Sequence, residues 1–110
     1  MSGADETSRL IAELDAAIRI ERSPAVRIAR ALAIVDTAER QENTGAFAVR
    51  RPDPDAWSRR IFWRLASEVR RAGAARASPD GIVAAISAAI DEAREDFNER
   101  PGSSQRNPAG

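Results

Sequence analysis

Residues 78–99 read SPDGIVAAISAAIDEAREDFNE, and residues 23–43 read SPAVRIARALAIVDTAERQEN. Each stretch opens on Ser-Pro. A serine hydroxyl can cap free N–H groups, and a proline at the first helical position lacks only an N–H that would have no partner there. In the later stretch Ile82, Val83, Ile86, Ala89, Ile90, Ala93 and Phe97 recur at intervals of three and four, the period of one helix face. In the earlier stretch Ile28, Ala31, Leu32, Val35 and Ala38 form an equivalent stripe. Val26, Ala29, Ala33 and Ile34 widen that stripe nearly around the cylinder, which predicts that this helix is the most buried one. Thr44-Gly45 is expected to end it, with Gly45 as a left-handed cap.

The same reading extends outward. A helix over about 5–21 places Leu10, Ile11, Leu14, Ala17 and Ile18 on one face. Asp53-Pro54 repeats the cap-then-proline signal and opens a helix to about Gly73, with Trp57, Ile61, Phe62, Leu65 and Val69 as its stripe. Residues 44–53 are the longest connection, and Phe47 and Val49 alternating with alanines would allow a short extended piece. Pro101-Gly102 stops the last helix, and the polar, breaker-rich residues 101–110 are expected to be disordered. The expectation is therefore one all-α domain over 1–100. It is a four-helix bundle of two similar αα-hairpins, 5–43 and 54–99.

The similarity of the hairpins is visible in the letters. Shifted by 55 residues, 9–43 aligns with 64–98 without a gap and with 11 identities in 35 positions. Composition alone would give about 3 or 4. The identities include Arg9 with Arg64, Leu10 with Leu65, Glu13 with Glu68, Ser23-Pro24 with Ser78-Pro79, Asp36 with Asp91 and Ala38 with Ala93. Core positions correspond too, as Leu14 with Val69, Ile28 with Val83 and Val35 with Ile90.

Composition narrows the chemistry. The 110 residues are 43% hydrophobic and 31% charged, a profile of folded rather than disordered chains. All 17 basic residues are Arg, as a high-GC bacterial or phage genome would produce, and 17 acids balance them. There is no Cys, so neither a disulfide nor a thiolate metal site is possible, and no His to serve as general base or ligand. No phosphate-cradling glycine loop, dinucleotide fingerprint or nucleophile elbow is present. These absences point away from an enzyme and imply no cofactor. The acidic start, Met1 to Glu6, does not resemble a signal peptide, and the apolar runs are too short to span a membrane, so the expected location is cytoplasmic. Asp91, Glu92, Glu95 and Asp96 share a solvated face rather than a metal site, because the Glu-x-x-His pair of bundle metal sites is missing. At a helix C-terminus they oppose the macrodipole, which predicts compensating Arg nearby.

One region stands apart. Residues 50–76 hold eight Arg against three acids, whereas 1–49 hold six Arg and eight acids and 77–110 hold three and six. Arg59, Arg60, Arg64, Arg70 and Arg71 fall on the non-core side of the third helix, with Trp63 among them. Indole and guanidinium together suit a contact site, so Trp63, Arg59, Arg60, Arg64 and Arg70 are the candidate partner-binding residues. The structural alternatives are ion pairing with the acidic end of the fourth helix, packing of Trp63 against the first helix pair or the 44–53 loop, or a homodimer interface. The expected function is a non-catalytic helical interaction module, a regulator, adaptor or inhibitor that binds another protein or itself. The alternative is weak nucleic-acid binding through the third helix, against which stand zero net charge and a pI near 6.3.

Overall fold

The structure, a computed structural model, describes residues 3–20, 23–46 and 56–99. They form four helices: α1 Gly3–Ile20, α2 Pro24–Ala46, α3 Ala56–Ala74 and α4 Pro79–Asn98. No strand occurs among the described residues. The expected extended piece near Phe47, the Asp53-Pro54 cap and the tail from 101 onward lie outside them.

The Ser-Pro openings behave as their chemistry requires. Ser78 adopts an extended backbone, and its hydroxyl accepts a hydrogen bond from the Gly81 N–H at 3.1 Å. Pro79 and Pro24 occupy first helical positions. The expected stop at Gly45 does not occur, since α2 continues through it to Ala46, and no glycine among the described residues has a positive φ. A single Gly costs a helix only about 1 kcal/mol, less than a sustained helix can tolerate.

The core is assembled from all four helices. Leu10, Leu14, Val35, Leu65, Val69, Ile86 and Ile90 are at most 1% exposed. The stripes of α1, α3 and α4 face inward as their periods predict. Helix α2 is the exception to expectation. Among its residues of described burial, 24–42, only Ala31 and Val35 of the apolar ones are buried, while Val26, Ala29 and Ala33 face outward. The bundle offers α2 one side only, and exposed alanines forfeit little apolar burial, so its all-round apolar character does not translate into all-round packing. Near the end of α3, a side chain at Gly73 would lie 3.0 Å from the Leu32 methyls, so the glycine lets α3 and α2 approach closely. A buried polar contact joins α1 to α3, where the Thr7 hydroxyl donates to the Ser58 carbonyl at 2.8 Å.

The sequential pairs, α1 with α2 and α3 with α4, pack most extensively. Two ion pairs between the hairpins relate to one another by the 55-residue shift. Arg94 of α4 meets Asp15 of α1 at 3.3 Å. Arg70 of α3 meets Glu39 of α2, its Nε donating at 2.9 Å. Asp15 corresponds to Arg70 and Glu39 to Arg94. Each bridge is thus the image of the other with its charges exchanged.

Candidate interaction surfaces

The arginines of α3 are distributed between two seams. Arg59 pairs with Glu42 of α2, a carboxylate that is 7% exposed. Arg70 holds Glu39 and, at 3.4 Å, Asp36, also on α2. Trp63 lies four residues after Arg59 and seven before Arg70, hence on the same side of α3. It is half-buried against the core and meets Phe62 edge-on, with ring centroids 5.2 Å apart. Arg64 points the other way, toward α4, where it reaches Glu92 at 2.9 Å and Asp96 at 3.8 Å as well as Glu68 on its own helix at 3.3 Å. Arg60 is exposed and makes no ion pair with a described residue. Sequence reasoning placed these five residues on one face. The structure brings Arg59, Trp63 and Arg70 together at the α2 seam, turns Arg64 to the α4 seam and leaves Arg60 between.

The charge of Glu92, then the hydrogen bond to Glu68, holds the Arg64 guanidinium above its ordinary pKa, and the bond to Glu39 does the same for Arg70. A raised base is stabilised below its unfolded pKa and loses that stabilisation only as pH rises through the folded one. For arginine this lies far above neutrality, so these cations stay engaged throughout the physiological range. Three of the four α4 acids that opposed the helix dipole have the expected compensation: Arg64 for Glu92 and Asp96, and Arg94 for Asp91 at 3.7 Å. Among the described residues no group of three or more acids is placed to hold a metal ion.

A surface that sequence reasoning missed lies between α1 and α2. A groove of about 280 Å³ runs there over Leu10, Ile34, Ala38 and Phe62, with Glu6, Arg9, Glu13, Arg30, Thr37 and Gln41 along its rims. It continues past Ala16 and Ala17 to Ile20, which is 72% exposed. The corresponding seam between α3 and α4 encloses about 10 Å³. Its eight lining residues all map, by the 55-residue shift, onto residues lining the groove. Arg64, Leu65, Glu68 and Ala93 map onto identical residues, Arg9, Leu10, Glu13 and Ala38. Ile61, Ala89, Glu92 and Asp96 map onto Glu6, Ile34, Thr37 and Gln41. In the closed seam Arg64 bridges to two acids. In the open groove Arg9 shares the lining with Thr37 and Gln41, and it makes no ion pair with a described residue. The replaced acids were legible in the aligned letters, but only the structure reveals that this position is where the two helices of the second hairpin are latched.

No helix among the described residues is long and apolar enough to cross a membrane. Comparison with protein-family models, with curated proteins and with solved structures gives no match.

Proposed function

We propose that this chain is a non-catalytic interaction module, a regulator, adaptor or inhibitor that works by binding another protein, and that its contact surface is the α1–α2 groove. The observation that carries this reading is the apolar floor of an open groove continuing to Ile20, one of only two large apolar side chains exposed among the described residues. Grooves of this kind between helices accept the apolar face of a partner segment. Nucleic-acid binding through α3 has less support, because carboxylates already occupy Arg59, Arg64 and Arg70, and phosphate would have to displace them. The test is affinity purification of the tagged full chain from its native host, with bound protein and nucleic acid both quantified. Wild type should retain a near-stoichiometric protein. Ile20→Ser should lose it, and Arg60→Ala with Arg71→Ala should keep it. Retention of nucleic acid alone, sensitive to the arginine pair, would transfer the function to α3.

A further inference from the structure

The closed seam shows what the open groove lacks. Across the α3–α4 seam one guanidinium, Arg64, is met by two carboxylates, Glu92 and Asp96. In the groove the corresponding arginine, Arg9, shares the lining with a hydroxyl and a carboxamide, Thr37 and Gln41, at the positions that those carboxylates hold in the seam. The acids are gone and donors stand in their place. A guanidinium, an amide NH₂ and a hydroxyl can all donate to one anionic group, and a carboxylate can accept from several donors at once. The seam in which Arg64 is bridged encloses about 10 Å³, and the groove at Arg9 about 280 Å³.

Charge narrows the ligand further. Glu6 and Glu13 lie on the α1 rim beside Arg9, so a highly anionic partner such as a phosphate chain would meet repulsion along that rim. A single carboxylate on the α2 side of Arg9 would not. The floor, formed by Leu10, Ile34, Ala38 and Phe62, calls for apolar side chains below it. An amphipathic helix with an acid at the border of its apolar face meets both requirements. Helix α4 is itself of that type, with Glu92 and Asp96 at the edge of the Ile86, Ile90 and Ala93 stripe.

We infer that the α1–α2 groove binds an amphipathic helix of a partner protein through a carboxylate set against Arg9, Thr37 and Gln41, the position that Glu92 and Asp96 fill for Arg64. This rests on the reading of the groove as the interaction surface.

The probe is a fluorescein-labelled peptide with the sequence of residues 79–98, titrated with the full chain and followed by anisotropy. Its partner is the same peptide carrying Glu92→Gln and Asp96→Asn. The acidic peptide should bind, and the neutral one at least about tenfold more weakly, a difference near 1.4 kcal/mol. Arg9→Ala in the protein should cause a similar loss. Thr37→Glu with Gln41→Asp, which restores the latch, should abolish binding while circular dichroism stays unchanged. Arg64→Ala should leave the affinity as it was.

Four results would overturn the inference. Equal binding of both peptides would remove the carboxylate. Loss with Arg64→Ala but not Arg9→Ala would mean that the peptide had exchanged for α4. No binding by a chain that sediments as a dimer would mean that a second copy covers the groove, and no binding by a monomer would leave the groove without this ligand. None of them changes what the host purification reports, so the wider interaction reading is judged separately.

Discussion

The α3–α4 seam and the α1–α2 groove are built on the same positions and differ in what the arginine finds there: Arg64 has two carboxylates across its seam, and Arg9 pairs with none among the described residues. Both have a leucine beneath an arginine, Leu65 under Arg64 and Leu10 under Arg9, and both leucines are 1% exposed. Around that shared floor, Glu92 and Asp96 line the closed seam, and Thr37 and Gln41 hold the matching places in the open groove. The core of a hairpin and the accessibility of its outer surface are therefore set by different residues. A surface substitution can open a binding groove without disturbing the packing beneath, because exposed ion pairs contribute little to stability.

The comparison can be broken most directly at its floor. Leu10→Ala and Leu65→Ala should each destabilise the fold by about 2–5 kcal/mol in urea titration, the range for buried leucines. A much smaller cost at Leu10 would mean that the groove floor is not core and that the two sites are not equivalent. Next in size is Trp63→Ala. As a half-buried ring at the α2–α3 seam it should cost less than the about 3–5 kcal/mol of a fully buried aromatic, and partner capture should follow the folded fraction. Unchanged stability with lost capture would restore Trp63 as a surface anchor and shift attention back to α3. The smallest effect sharpens the comparison. Arg64→Ala should lower the thermal midpoint slightly, by no more than about 4 °C, and less in molar salt. Arg9→Ala should leave the midpoint unchanged, because no ion pair to a described residue is lost. Equal losses for both would show that Arg9 has a latch of its own.

Much of the scaffold was legible because its signals are local. The stripes of α1, α3 and α4 and the Ser-Pro openings report helix faces and starts directly, and Leu14, Ile86 and Ile90 are buried as their spacing predicts. Burial of α2 was misjudged because periodicity counts an alanine as apolar wherever it falls, and only the neighbours decide which side is covered. Thr7 and Ser58 were passed over as polar, although Thr7 shares the face of Leu10 and Leu14, a placement that calls for a buried partner. The arginine face was read as one surface because a wheel drawn for α3 alone cannot show that its two edges meet acids on different helices. The groove is lined by residues of three helices, α1, α2 and Phe62 of α3, a relation that no single-helix pattern contains.

The paired bridges between the hairpins also bear on how the halves choose each other. Asp15 with Arg94 and Arg70 with Glu39 occupy matching places, but the charges are exchanged. If two copies of the first half docked in the same way, Asp15 would face Glu39 twice. Two copies of the second half would set Arg70 against Arg94 twice. Like charges placed opposite one another disfavour both of these assemblies, while the mixed one satisfies every charge. A chain with such similar halves is thereby given a preference for its own complement over its twin. Fragments 1–50 and 51–110, expressed separately, should on these grounds reconstitute one heterodimer in preference to either homodimer.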